Sequence, residues 1–277
     1  MRNTLPVELD AARRAFDKSA LTYDDEFDAT PAARRLRKVV GEILLQYFSP
    51  GNSILELNCG TGTDAVFLAR HGINVHATDL SPQMIEMTRE KVRVHDVAAA
   101  VSTDILAFDQ LMSLAGGRLY DGVFSNMGGM NCTRDIASIA GSLASLVRPG
   151  GYAILGVMPD CTLLETLAFL IRGNTKSAFR RSHPEGCLAM LHGERVRTWY
   201  YSPGRVREVF SAHFVHTQTV GLNIFTPPPS SNRINNILGR SLIVFEKLDD
   251  LLCKTWPFNR IGDHYVIVLK RKADTVA

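Results

Sequence analysis

The sequence predicts an α/β fold, a doubly wound parallel sheet of about seven strands. Three observations predict it. Short apolar runs alternate with stretches of helical periodicity between residues 53 and 157. The helices close in turn chemistry, as at His71-Gly72 and Arg148-Pro149-Gly150-Gly151. A glycine-rich turn, Glu56-Leu57-Asn58-Cys59-Gly60-Thr61-Gly62, sits between the first strand and the helix that follows it.

Taken in order, the first 50 residues read as helices, over Ala11–Ala20 and Pro31–Phe48. Val39, Ile43 and Tyr47 recur at helical spacing, and Ser49-Pro50-Gly51 stops the segment. Ile54–Leu57 is the first strand, Asp64–Arg70 a helix, and Ile73–Thr78 the second strand. Ser81 caps the next helix, with Pro82 at its first position. Ala98–Thr103 and Tyr120–Ser125 are the third and fourth strands. Ile136, Ile139, Leu143 and Val147 share one helix face, and Tyr152–Val157 is the fifth strand. Each crossover is expected to be right-handed. From Pro159 to about Tyr201 the alternation breaks. That stretch holds a helix near Leu163–Arg172, a basic patch, and a hairpin of Leu188–Leu191 and Arg195–Tyr200 around His192-Gly193-Glu194. Ser202-Pro203 opens another helix ending near Phe214, and Val215–Ile224 is the sixth strand. Two helical stretches follow Pro227-Pro228-Pro229, and His264–Lys270 is the final strand.

The bulk numbers narrow the class. A chain of 277 residues with 45% hydrophobic and 21% charged residues is ordinary globular material. We read it as one domain, 1–277: a helical segment 1–50, a ligand-binding core 53–157, an insertion 159–201 and the C-terminal part of the sheet, 202–277. The net charge of +3 implies no nucleic-acid partner. Cys59, Cys132, Cys161, Cys187 and Cys253 are odd in number and widely spaced, which fits a reducing compartment without disulfides. The eight histidines are scattered, so no metal is expected. No signal peptide and no run approaching about 18 apolar residues is visible, so the expected location is cytoplasmic.

Chemistry concentrates at the strand ends. Glycines in the turn after the first strand let a ligand approach backbone N–H groups at a helix start. Asp79 ends the second strand, where a carboxylate can accept both hydroxyls of a ribose. Asp104 follows the third strand, with Ile105 beside it. Glu56, Asp79 and Asp104 thus fall at the carboxyl edge, where open α/β sheets bind ligands. Gly60-x-Gly62-x-x-Ala65 also fits a dinucleotide fingerprint, which keeps an NAD(P)-dependent oxidoreductase as an alternative. Glu56 argues against it, because an acid beside a pyrophosphate is unfavourable and beside a cation is favourable.

Residues 53–157 resemble the class I S-adenosylmethionine-dependent methyltransferase family, with a Rossmann-like sheet. The resemblance implies that Glu56, Cys59, Gly60 and Gly62 hold the methionine part of S-adenosyl-L-methionine. It implies Asp79, with Leu80 next to it, for the ribose; Asp104 and Ile105 for the adenine; and Asn126 and Met127 facing the methyl group. Tyr23 is similar to an N-terminal tyrosine that reaches the cofactor in some members. One departure is Asn58, where the family usually has Gly; Asn tolerates a left-handed backbone. The family's last strand is antiparallel, which brings Asp263-His264 to the cofactor edge. His264 is then a candidate general base. Residues 159–201 are expected to form a lid after the fifth strand, with His192, Trp199, Tyr200 and Tyr201 as lining. Of these, His192 and Tyr200 are candidates for catalysis. Asn126-Met127-Gly128-Gly129 lacks the Pro-Pro-aromatic motif of enzymes that methylate amino groups of bases. A small-molecule acceptor is therefore expected, with S-adenosyl-L-homocysteine as the co-product. Arg172, Lys176, Arg180 and Arg181 stand in a stretch without acids. It has the charge for an anionic substrate or peripheral membrane contact, although a solvated face explains it better. A non-catalytic S-adenosylmethionine-binding protein is the remaining alternative.

Overall fold

A computed structural model describes residues 7–27, 31–117, 119–228 and 239–273. Three helices lead: α1 (Val7–Ser19), α2 (Tyr23–Phe27) and α3 (Pro31–Tyr47). The alternating core follows as β1 (Ser53–Glu56), α4 (Thr63–Arg70), β2 (Asn74–Asp79), α5 (Pro82–Val94), β3 (Val101–Ile105), β4 (Tyr120–Ser125), α6 (Ile136–Leu146) and β5 (Val147–Val157). The insertion carries α7 (Leu163–Ile171), α8 (Thr175–Ala178) and the hairpin β6 (Cys187–Leu191) and β7 (Glu194–Thr198). Then come α9 (Pro203–Phe210), β8 (Phe214–Leu222), α10 (Leu242–Leu252) and β9 (His264–Arg271). Of the two helical stretches expected after Pro227-Pro228-Pro229, α10 is one; residues 229–238 lie outside the described residues.

Seven strands form one sheet in the order β3-β2-β1-β4-β5-β9-β8. β1 to β5 pair in parallel, and β9 runs antiparallel to both β5 and β8. Strand side chains alternate between two apolar layers, as a period of two requires. Ile54, Phe124, Ile154, Val266 and Val268 pack with α3, α4 and α5. Leu55, Val123, Ala153, Leu155, Ile267 and Leu269 pack with α6 and α9. β1 therefore aims Ile54 and Glu56 at the α3–α4 side. Among the described residues no helix is long and apolar enough to cross a membrane.

Several boundaries differ from the sequence expectation. The third strand starts at Val101, because the Ala100 N–H turns back to Val97 O and the alanine run has little β preference. β5 begins at Val147, and its pairing jumps from Tyr120↔Val147 to Gly122↔Tyr152 across the Pro-Gly-Gly segment. The hairpin turn is two residues, His192 and Gly193, both at positive φ, as tight hairpins require. β7 stops at Thr198 because the Trp199 N–H goes to Asn131 O and the Tyr201 N–H to Met158 O.

Candidate functional site

The loop after β1 is built from left-handed residues: Asn58 (φ 50°), Gly60 (φ 57°) and Gly62 (φ 79°). A Cβ at Gly60 would meet nothing within 4 Å, so that position opens onto free space. A Cβ at Gly62 would meet Thr88 at 2.7 Å, which makes Gly62 a packing contact between loop and α5. Asn58 adopts its positive φ and sends its side chain across to β4. Its Nδ2 donates to Asn126 O at 2.8 Å and its Oδ1 accepts from Ser125 Oγ at 2.6 Å. Gly129 makes room for it, since a Cβ there would lie 2.2 Å from Asn58 Cγ.

The acid at the end of β2 braces the same loop. Asp79 Oδ2 accepts the Gly60 N–H at 2.9 Å, and Oδ1 accepts the Ser81 N–H at 2.8 Å. Burial raises the Asp79 carboxyl to about 6, against these N–H bonds, which pull it down. After β4 the backbone turns left-handed at Met127 (φ 51°) and Gly128 (φ 74°). A positive φ at methionine costs energy, and such strain collects at functional positions. Asn126 Oδ1 accepts the Met127 N–H at 2.8 Å, and Asn126 Nδ2 donates to Asp64 Oδ2 at 2.9 Å. Asp64 also takes Arg37 Nη1 of α3 at 3.2 Å.

The N-terminal helices roof this edge. Asp24 of α2 accepts from Thr61 Oγ1 at 2.5 Å and from Lys91 Nζ at 2.6 Å, tying the roof to the glycine loop and α5. Below lies a cleft that opens to solvent. Its polar wall includes Gly60, Asp64, Asp79, Arg37 and Asn126. Its apolar wall includes Phe16, Leu80, Met84, Leu106, Phe108 and Met127.

The site favours a cation. Burial first, then Asp64, push the Glu56 carboxyl well above its usual range; Arg37 pulls it back and Asp79 adds to the rise. Glu56 Oε2 is buried with no hydrogen-bond partner among the described residues. An orphaned buried carboxylate oxygen calls for a donor. Three acids, Asp64 and Asp79 on the wall and Glu56 just behind it, outnumber the one guanidinium of the lining, Arg37, which suits an ammonium or sulfonium better than a pyrophosphate. The residues therefore fit an aminoacyl nucleoside such as S-adenosylmethionine: an acid for its amine, open space at Gly60, an acid for its ribose and an apolar slot for its base. Cys59 is buried, and burial pushes its thiol well up, so it is a packing residue. No three His, Cys, Asp or Glu side chains are grouped as a metal site among the described residues.

Of the residues named from sequence, Tyr23, Cys59, Gly60, Asp79, Leu80, Asn126 and Met127 line the cleft. Glu56 lies behind the wall and Gly62 packs on Thr88. Asp104 and Ile105 lie outside the lining. Asp104 pairs with His76 Nε2 at 2.8 Å, whose Nδ1 contacts Tyr120 Oη at 2.6 Å. β3 runs on to Ile105 instead of ending at Thr103, which puts Asp104 inside the strand and leaves Leu106 and Phe108, beyond its end, to line the cleft. His264 opens β9, its Nδ1 3.0 Å from Asp263 Oδ2. Burial would raise the Asp263 carboxyl, but His264 and Arg181 together outweigh it and bring it to about 2. Arg181 Nη2 lies 2.7 Å from Glu165 Oε2 and 3.4 Å from Asp263 Oδ1, and its guanidinium stacks 4.9 Å from the Tyr200 ring. His192 sits at the hairpin tip, 3.4 Å from Glu26 Oε2. His264, Tyr200 and His192 thus belong to the insertion and its anchors rather than to the cleft wall. Motif reading passed over Phe16, Arg37, Asp64, Leu106 and Phe108. Asp64, two residues past Gly62, and Leu106, next to Ile105, stood close to residues already singled out.

The methyltransferase-domain family matches residues 54–151. The chain is 28% identical over 161 residues to a malonyl-[acyl-carrier protein] O-methyltransferase of Serratia marcescens, covering 57% of each chain. It is 32% identical over 150 residues to a demethylmenaquinone methyltransferase of Symbiobacterium thermophilum, covering 51% of this chain and 57% of that enzyme. The chain therefore spans somewhat over half the length of these curated relatives. Among solved structures, magnesium protoporphyrin IX methyltransferase of Synechocystis PCC 6803 with bound SAH aligns over 96% of this chain and 100% of that one. Its TM-score is 0.60 at 15% identity, a likeness of fold alone.

Proposed function

We propose that this chain, which belongs to the class I S-adenosylmethionine-dependent methyltransferases, methylates a small, largely apolar acceptor bound beneath residues 159–201. The observation that carries the reading is the acid-rich cleft over a glycine loop at the carboxyl edge of the parallel strands. The bound cofactor supplies an electrophilic methyl on a sulfonium. The protein's part is to bind and orient. The Gly60 backbone and Asp64 line the amino-acid end, with Arg37 close by, and Glu56, buried just behind them, adds negative charge there. Asp79 accepts from the ribose, and Leu80, Leu106 and Phe108 enclose the base. Phe16 and Tyr23 close the cleft from above, and Met127 and Gly128 face the transferred carbon. Alignment of acceptor and methyl can supply about 7–11 kcal/mol of the barrier.

A base is needed only for an acceptor that arrives protonated. His264 is the candidate. If Nδ1–H donates to Asp263, Nε2 keeps a lone pair for the acceptor proton, and Arg181 fixes Asp263 in turn. Tyr200 is a weaker candidate, since burial raises its hydroxyl and so disfavours its anion. We read residues 159–201 as the lid. What supports a small, largely apolar acceptor is the apolar lining left to it by Phe16 and Met127, together with the missing Pro-Pro-aromatic motif after Asn126.

The test is direct. S-adenosylhomocysteine should raise the melting temperature and NADH should not. Labelled methyl should then reach a phenolic, quinol or carboxylate acceptor in a panel. Protection by NADH alone would restore the oxidoreductase reading. Binding without transfer to any acceptor would leave a cofactor-binding protein. His264→Gln with unchanged turnover at every pH would remove the base assignment while leaving the cofactor site intact.

A further inference from the structure

Helix α7 has a sequence suited to a core and a position outside one. Its residues Leu163, Leu164, Leu167, Ala168, Phe169, Leu170 and Ile171 are apolar, yet none of its nine residues is buried. Leu167, Leu170 and Ile171, spaced i, i+3, i+4, share one stripe and are 47%, 40% and 85% exposed. Phe179, just after α8, is 57% exposed. The charges nearby are one-sided. Glu165 is engaged by Arg180 and Arg181 at 2.7 Å each. Arg172 and Lys176 are exposed and pair with no carboxylate among the described residues, and no acid lies between Glu165 and Glu185. α7 is also anchored at the carboxyl edge of the sheet, where the Leu163 N–H donates to Ile261 O just before β9.

We propose that α7 docks this face of the molecule onto an anionic bilayer surface. Leu167, Leu170 and Ile171 enter the acyl boundary, and Arg172 and Lys176 meet headgroup phosphates. A second copy of the chain is the poorer occupant. Pairing two α7 stripes would bring Arg172 and Lys176 near their own copies with no carboxylate between them. A bilayer offers a low-dielectric layer under a negative plane, which matches an aliphatic stripe ending in two cations. The inference does not depend on which acceptor is methylated, and it is read without any turnover.

The experiment is cosedimentation of the full chain with vesicles of phosphatidylcholine alone and of phosphatidylcholine with phosphatidylglycerol. Two exposed-site variants are compared, Ile171→Asp and Arg172→Glu/Lys176→Glu. Neither touches the cleft, so melting temperature and protection by S-adenosylhomocysteine serve as folding controls. Binding is expected only with phosphatidylglycerol, to weaken with added salt, and to fall about tenfold in each variant. Equal retention on both vesicle types, or variants that bind like the parent, overturns the proposal. So does a dimer in solution that Ile171→Asp dissociates while vesicles retain neither form.

Discussion

Asp79 offers the sharpest test of the cleft, because stability and affinity should respond to its loss in different ways. Burial raises its folded-state carboxyl from 3.8 to about 6. For a carboxylate moved upward, folding favours the protonated form. The contribution is therefore absent below about pH 4, turns unfavourable as pH rises from about 4 to 6, and stays so above. A rise of about two units corresponds to about 3 kcal/mol at pH 7. Asp79→Asn removes that penalty. It also leaves the Gly60 or the Ser81 N–H facing an amide nitrogen, at a cost of about 1–3 kcal/mol. The two terms nearly cancel, so the free protein should melt within a few degrees of the parent at pH 7. Affinity has no such cancellation. Hydrogen bonds from ribose hydroxyls to a carboxylate are worth about 1.5–3 kcal/mol each, so Asp79→Asn should weaken S-adenosylhomocysteine by at least about tenfold. In the parent, affinity should be flat above about pH 7 and fall about tenfold per unit below 6, as the carboxylate is lost. Calorimetric titration from about pH 5 to about pH 8 reads both effects. A parent Kd independent of pH, or a variant that keeps the parent's pH dependence, would refute the placement of Asp79 at the ribose.

Three further outcomes follow from named contacts. Gly129→Ala drives a Cβ into Asn58 and should cost about 1–3 kcal/mol in denaturant unfolding, whereas Asn58→Gly/Gly129→Ala should recover most of it. Asn131 holds the insertion to the sheet: its Nδ2 donates to Met158 O at 3.0 Å and Trp199 O at 2.6 Å, and its Oδ1 accepts the Met158 N–H at 2.8 Å. Asn131→Ala should therefore lose about 2–4 kcal/mol, at about 1 kcal/mol per bond plus orphaned groups, measured by chemical denaturation. Arg181→Met removes the buried cation shared by Glu165 and Asp263, leaving each a single partner, Arg180 and His264. It should cost about 1.5–3 kcal/mol and speed proteolytic cleavage within 159–201; unchanged cleavage would show that the ion cluster does not secure that segment.

The parallel half of the fold was legible because its signals are local. Ser81 ahead of Pro82 caps α5 as expected, with the Met84 N–H on Ser81 Oγ at 3.1 Å. The glycine loop was legible for the same reason, and so was the tolerance of Asn58 for a left-handed backbone. What escaped were contacts between elements distant in sequence. Arg37 reaches Asp64 across 27 positions, and nothing in the pattern of α3 distinguishes Arg37 from Arg34 or Arg35. Asp104 shows the complementary failure. An acid after a strand looked like a ligand contact, but a two-residue change in where β3 runs turned it toward His76. Where a strand ends decides whether an acid stands in the ladder or in the loop beyond it, so a boundary uncertain by a residue or two cannot assign that side chain.

The roof of the cleft couples its two ends. α1 lends Leu9, Ala12 and Phe16 to the cleft, and Ala12, Ala15 and Phe16 also pack against Val196 and Leu191 of the hairpin. Arg14 and Lys18 of the same helix hold Glu194 at 3.1 and 2.6 Å. Through Asp24, α2 holds the glycine loop. A cofactor that orders the loop must therefore favour one position of α1, and α1 in that position presents the face on which the hairpin rests. Filling the cleft should draw residues 159–201 down by this route, since a ligand shifts a closing equilibrium by its differential affinity for the closed state. Hydrogen exchange separates coupling from coincidence. S-adenosylhomocysteine should slow exchange in β6 and β7, neither of which lines the cleft, and Glu194→Gln should abolish that slowing while leaving the protection of residues 57–62 intact. Protection of the hairpin that survives Glu194→Gln would place the coupling elsewhere than in these ion pairs.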